Sequence, residues 1–132
     1  MSQLIPLFTI ITVSFNSEKT IENTIKSVIE QTYRNFEYII IDGGSTDNTL
    51  SIINKYKKNI NKIISEKDEG IYDAINKGII NSNNSIIGLL HSDDKFYSKN
   101  VLEQYSKVFK DNIDIVFSNL NIVNNKNEVI RN

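Results

Sequence analysis

A chain of 132 residues with a formal net charge of -1 is long enough for one domain with a buried core, and too nearly neutral for its overall field to draw it to nucleic acid or anionic lipid. It contains no cysteine, which excludes disulfides, thiolate metal sites and cysteine nucleophiles and suits a reducing cytosol. No apolar run approaches the length of a membrane span, and the N-terminal "MSQLIPLF" lacks the basic-then-apolar order of a secretory signal.

The run from Leu7 to Val13 is β-branched and nearly continuous, the pattern of a strand buried on both faces. Ser17 is the expected N-cap of a helix whose apolar face is Ile21, Ile25, Val28 and Ile29, reaching about Thr32. "FEYIII" is a second strand and "DGGSTD" a turn. A helix entered near Ser45, with Ser45 or Asp47 capping it, carries Leu50, Ile53 and Tyr56 on one face. "NKIIS" is a short third strand and "EKDEG" a polar loop. Ile71, Ala74, Ile75 and Ile79 mark a third helix, which Gly70 lets the chain enter, and "SIIGLL" is a fourth strand. Val101, Leu102, Tyr105, Val108 and Phe109 mark a fourth helix. "DIVFS" is expected as a fifth strand, and the tail as two short strands around a turn at Asn124 to Asn127.

Strands alternating with helices imply an α/β fold with a mostly parallel sheet covered on both faces. In such sheets ligands bind outside the carboxyl ends of the strands. The polar clusters obey that rule: "SFN", "DGGSTD", "EKDEG" and "HSDD" each follow a strand. Four polar loops should therefore share one edge of the sheet. No linker, internal repeat or second domain is visible.

Asp93 and Asp94 end an apolar run. Side by side they repel, and desolvating them is costly. A divalent cation removes that difficulty: Mg²⁺ or Mn²⁺ takes one or two carboxylates and leaves positions for phosphate oxygens. The competing reading is a solvated turn whose Asp caps the next helix. The placement at a strand end, beside three other polar loops, favours the cation. In "DGGSTDNT", Gly43 and Gly44 allow close backbone approach. The loop is neither a Walker A sequence nor a G-x-G-x-x-G fingerprint, which argues against a nucleoside triphosphatase and a dinucleotide enzyme. Glu66, Asp68, Glu69 and Asp73, with Lys67 and Lys77, read by default as a solvated charge cluster. His91 is the single histidine, so two-histidine metal sites are impossible.

Together, "FTIITVSFNSEKTIENTIKSVIEQTYRNFEYIIIDGGSTDNT", "DEGIYDAINKGI" and "IIGLLHSDD" resemble the inverting GT-A glycosyltransferase family known as family 2, in order and spacing and over nearly the whole chain. The wording of "DGGSTD" and "GIYDAINKGI" is similar to bacterial enzymes of cell-surface polysaccharide biosynthesis. The resemblance implies a Rossmann-like nucleotide-diphospho-sugar-binding fold and metal-assisted transfer of a sugar to a glycan or lipid-linked acceptor, with inversion. It implies Mn²⁺ or Mg²⁺ at Asp94 with Asp93, and Asp93 also against the donor's ribose or sugar. Thr12, Val13, Ser14, Phe15 and Asn16 match the segment along the nucleotide base. Asp42, with Gly43, matches the family's Asp-Asp pair, and Gly70 joins the donor-binding set. A UDP-sugar is the favoured donor. The implied setting is the cytoplasm, at the inner face of the membrane, with peripheral membrane association and self-association as further expectations.

Three departures qualify the likeness. The second Asp of the pair is Gly43, so its contact must come from Asp42, from backbone or from elsewhere. The outer place of the acidic motif is His91. Family domains also continue well past this length. Residues 1–132 are therefore expected to form a single, C-terminally truncated GT-A domain, the N-terminal donor-binding portion. The general base is then expected beyond Asn132, since neither Asp111 nor Asp114 is a convincing substitute. Lacking a base, acceptor deprotonation would be slower by about 10²- to 10⁴-fold. The alternative is a nucleotide-sugar-binding module without turnover. A weaker one is an interaction domain whose acidic loops are merely solvated.

Overall fold

The computed structural model describes residues 8–109 and 113–131. Leu7, the expected start of the first strand, and Asp111 lie outside them. Four strands form one parallel sheet: β1 (Phe8–Ser14), β2 (Phe36–Asp42), β3 (Lys62–Ser65) and β4 (Ile86–Leu89), in the order β3-β2-β1-β4. β1 and β2 lie inside the sheet. Every residue of β1, and every residue of β2 after Phe36, is buried. Their continuous apolar character follows from that position, since neither face meets water.

Helices cover both faces. On one face Phe8, Ile10, Tyr38 and Ile40 pack with Ile21, Ile25 and Val28 of α1 (Ile21–Ile29), Ile53 of α2 (Thr49–Lys55) and Leu102 of α4 (Val101–Val108). On the other, Ile11, Val13, Ile39 and Ile41 pack with Ala74 and Ile75 of α3 (Ile71–Ile80). Each isoleucine buried this way contributes about 1.5–3 kcal/mol relative to exposure. Gly78 brings α3 hard against the sheet: a Cβ there would stand 2.5 Å from Cγ2 of Ile11.

The amino-terminal edge of the sheet is tied by a buried carboxylate. Glu37 accepts hydrogen bonds from the Thr9 hydroxyl at 2.9 Å, the Asn83 N–H at 2.9 Å and the Asn83 side-chain amide at 2.5 Å. Burial alone would raise its pKa. The two Asn83 bonds and the Thr9 bond overcome it and hold the carboxyl below its ordinary value.

Two expectations are corrected. Ser17 does not cap α1 with its side chain. A turn precedes the helix, the Ser17 carbonyl accepts the Thr20 and Ile21 N–H groups, and the hydroxyl is drawn to Ser92 instead. Residues 114–118 are not a strand. Ile115 and Phe117 are exposed and no strand pairs with them. Alternating apolar residues make a strand only where a neighbouring edge and a packing face receive them. The tail does form a hairpin, β5 (Ile122–Val123) with β6 (Val129–Arg131). Oδ1 of Asn124 accepts the Lys126 and Glu128 N–H groups within its turn.

Candidate functional site

The strand order fixes where a ligand can sit. From β1 the chain proceeds outward through β2 to β3, then crosses back to place β4 on the other side of β1. The crevice beyond the carboxyl ends of β1 and β4 is thus the point where strand order reverses, the preferred ligand position in open α/β sheets. Phe15 and Asn16 leave β1 there, and Ser92, Asp93 and Asp94 leave β4 there.

The loops after β1 and β2 are joined to each other. Asn16 takes a left-handed conformation, φ +47°. Its N–H donates to Oγ of Ser45 and its Oδ1 accepts the Thr46 N–H at 2.8 Å. The Ser17 N–H donates to the Thr49 hydroxyl at 2.7 Å, and the Glu18 N–H to Asp47. Asp47 also accepts the Thr49 N–H, but the N-cap of α2 is Asn48 and makes no side-chain cap bond, so neither Ser45 nor Asp47 caps the helix as expected. Burial works against its charge, but hydrogen bonds from Thr49 and Glu18 prevail and lower its pKa.

Asp42 is fully buried and engaged within the protein. It accepts the Ser45 N–H at 3.0 Å, the Ser45 hydroxyl at 2.5 Å and the Ser65 hydroxyl at 2.8 Å. These bonds clip the end of β2 to its own turn and to the end of β3. Thr12 is likewise buried, and its hydroxyl meets the Tyr38 hydroxyl inside the core. Val13 and Ser14 are buried strand residues, whereas Phe15 and Asn16 are exposed. Gly70 has φ +115°, a conformation that favours glycine, and its N–H donates to Oδ1 of Asp68. Part of the neighbouring charge cluster is paired: Lys77 reaches Glu66 and Asp73, each at 3.1 Å.

The loop after β4 continues along β1. The Leu90 and Ser92 N–H groups donate to the carbonyls of Ile11 and Val13. Ser92 and Ser17 share a hydroxyl–hydroxyl bond of 2.7 Å. From α1, Thr24 donates toward the Ser92 carbonyl at 3.0 Å and the Asp94 carbonyl at 2.6 Å. Ser27 accepts the Phe96 N–H, and Gln31 spans the Ser98 carbonyl and the Leu102 N–H. These three residues were not among the sequence candidates. Their signal was a polar stripe, at spacings of three and four, along α1 and just past its end, on a segment otherwise packed on the core.

Held this way, Asp93 and Asp94 are exposed side by side, and neither carboxylate accepts a hydrogen bond from a described residue. Partial burial, then the charge of Asp93, raises the Asp94 pKa, and His91 opposes them weakly. Nδ1 of His91 and Oγ of Ser14 are buried without partners among the described residues. Among those residues no three His, Asp or Glu side chains gather into a metal cage. The pair nonetheless fits a hard divalent cation of the kind bound by one or two carboxylates, its other positions open to phosphate. Asp114, exposed in a segment without regular structure, is not brought to this edge by any described contact.

The comparisons bear on the family and the fold. A UDP-Glc:alpha-D-GlcNAc-diphosphoundecaprenol beta-1,3-glucosyltransferase of Escherichia coli is 33% identical over 124 residues, which are 93% of this chain and 49% of that protein. An uncharacterized glycosyltransferase of Mycobacterium tuberculosis is 38% identical over 100 residues, 75% of this chain and 38% of the relative. The chain thus spans half or less of the length of these relatives. Among solved structures, S. aureus TarS 1–349 in complex with UDP-GlcNAc matches 76% of this chain and 30% of its own, with TM-score 0.71 and 26% identity. A mannosyltransferase of Pyrobaculum calidifontis in complex with GDP-Man and Mn²⁺ matches 78% of this chain and 32% of its own, with TM-score 0.71; at 22% identity it supports the GT-A fold alone. The family model for glycosyl transferase family 2 matches residues 9–132, and the chain belongs to that family.

Proposed function

We propose that this chain is the donor-binding portion of an inverting, metal-assisted glycosyltransferase. It takes a nucleotide-diphospho sugar, UDP-linked by preference, and serves transfer to a glycan or lipid-linked acceptor in cell-surface polysaccharide biosynthesis. The observation that carries the reading is the unpaired Asp93–Asp94 carboxylate pair at the β1/β4 reversal, pinned through its backbone by Thr24. Paired carboxylates without protein donors, at an edge where phosphates lie, are built to share a cation with a diphosphate.

The residues divide the work. Asp94, with Asp93, would hold Mn²⁺ or Mg²⁺. When bound, such a cation offsets the negative charge that develops on the departing diphosphate. Phe15 and Asn16 form the exposed floor after β1, and their bonds to Ser45 and Thr46 keep it rigid. Asp42 orients the second loop from within. Work at the cytoplasmic membrane face is part of the proposal, and among the described residues no helix is long and apolar enough to cross a membrane.

The test is calorimetric titration of UDP into the 132-residue chain, with Mn²⁺ and then with chelator. Binding that tightens with Mn²⁺ and weakens on chelation is expected. Equal binding in both conditions would remove the metal from the proposal. No binding of any nucleoside diphosphate by the folded chain would overturn the donor site.

A further inference from the structure

Three segments of this edge meet at one serine. Ser17 stands half-buried between β1 and α1. Its hydroxyl lies 3.1 Å from the Phe15 carbonyl and 2.7 Å from the Ser92 hydroxyl. A carbonyl can only accept, so Ser17 gives its single proton to Phe15 and accepts the proton of Ser92. The order of donors is thereby fixed, from Ser92 to Ser17 to Phe15. The Ser17 N–H meanwhile donates to the Thr49 hydroxyl at the start of α2, at 2.7 Å. Ser92 is buried, and its backbone is already engaged: its N–H meets the Val13 carbonyl, and its own carbonyl accepts from Thr24. Its hydroxyl is thus free to reach across. Among the described residues, the Ser92–Ser17 bond is the only hydrogen bond between residues 91–96, which carry the acidic pair, and residues 15–20, which begin with the exposed Phe15 and Asn16.

We propose that the Ser92–Ser17–Phe15 relay couples the two halves of the site, so that a cation on the acidic loop strengthens nucleoside binding at the Phe15 floor without touching the nucleoside. The inference rests on the donor-site reading above and goes beyond it, because contact between cation and diphosphate needs no such link. Asp93 and Asp94 repel each other when no cation lies between them. A shared cation removes that repulsion and orders the loop. The relay passes the order to the Phe15 carbonyl and, through the Ser17 N–H, to Thr49. A ligand that arrives at an already ordered floor loses less conformational entropy on binding, which is positive cooperativity with little change of shape. Linkage makes the effect reciprocal: the nucleoside raises the cation affinity by the same factor. One hydrogen bond in a polar network sets the size, a factor of about 2 to 10.

Uridine is the probe, because it carries no phosphate that could reach the cation. Its affinity is measured by NMR titration of the 132-residue chain, with saturating Mg²⁺ and with chelator, for the wild type, Ser92→Ala, Ser17→Ala and Ser17→Thr. Mg²⁺ is expected to tighten uridine about 2- to 10-fold in the wild type. Ser92→Ala leaves the Ser17–Phe15 bond and the backbone ties of the loop in place. Its uridine affinity in chelator should therefore match the wild type, while the Mg²⁺ enhancement disappears. Ser17→Ala should also lose the enhancement, and Ser17→Thr, which restores the hydroxyl, should keep it. A merely structural role would weaken uridine equally with Mg²⁺ and with chelator. That result, an enhancement that survives in Ser92→Ala, or a wild type whose uridine affinity ignores Mg²⁺ would overturn the coupling, and UDP binding that still tightens with Mn²⁺ would leave the donor site standing. A wild-type chain that binds neither UDP nor uridine would overturn the donor site, and the coupling with it.

Discussion

Thr24 offers the sharpest test of how the acidic loop is held. Its side chain is buried on α1, and its one hydroxyl proton faces two carbonyls, Ser92 at 3.0 Å and Asp94 at 2.6 Å. These carbonyls flank Asp93. Thr24→Val keeps the shape of the side chain and removes only the donor. One hydrogen bond is lost and a part-buried carbonyl is left unpaired, a cost of about 1–3 kcal/mol. With a denaturation slope of about 2 kcal/mol/M, the urea midpoint should fall by about 0.5–1.5 M. The loop should also loosen at the carboxylates, so UDP affinity in the presence of Mn²⁺ should fall about tenfold or more, beyond any loss seen with chelator. Thr24→Ser restores the hydroxyl and should recover most of both effects. If Thr24→Val melted with the wild type and kept its Mn²⁺-dependent affinity, the clamp would be a coincidence of packing and the positioning argument would fail.

Three further outcomes are expected. Glu37→Gln, which turns an amide N–H toward the Asn83 donors, should cost about 1–3 kcal/mol in a thermal or urea melt. Because the folded carboxyl titrates below its unfolded value of about 4.3, its stabilisation is present above that value and is lost as pH falls through the folded pKa. The acid limb of the stability profile should therefore be shallower in Glu37→Gln, and an identical limb would refute the linkage. Gly78→Ala sets its Cβ 2.5 Å from Ile11. Overpacking of about 1–3 kcal/mol outweighs a helix-propensity gain of about 1 kcal/mol, so a variant more stable than wild type would contradict the packing. Asp94→Asn should abolish the Mn²⁺ enhancement of UDP binding while sparing the metal-free affinity, and an enhancement that survives would move the cation elsewhere.

The sheet was legible because burial on both faces leaves a strong trace. "LFTIITV" and "FEYIII" read as interior strands, and β1 and β2 are the two with strands on either side. The order of the polar loops was legible for the same reason: in a parallel sheet every strand delivers its carboxyl end to one edge. Local pattern misled where the deciding partner is remote in sequence. Ser17 has the chemistry of a cap, but Ser92, 75 positions away, takes its hydroxyl. "DIVFS" has the propensity of a strand but pairs with no described strand, although β3 and β4 are edges of the sheet. Asp68 looked like one carboxylate of a solvated cluster, and only the folded loop shows it over Gly43. Thr24, Ser27 and Gln31 are ordinary polar residues until the loop from Ser92 to Leu102 is laid across them.

The carboxylates at this edge separate by what already satisfies them. Asp42 and Asp47 take backbone and hydroxyl donors from neighbouring loops, so their charge is consumed in shaping the edge. The carboxylates of Asp93 and Asp94 receive no donor from a described residue, and the loop that carries them is held through the Ser92 and Asp94 carbonyls. A buried, fully bonded carboxylate holds loops in place because losing it strands several donors at once. An exposed pair without donors leaves its oxygens open to a ligand, and its mutual repulsion favours a cation there. By this division Asp42 shapes the edge from within, and the proposed cation falls to the end of β4.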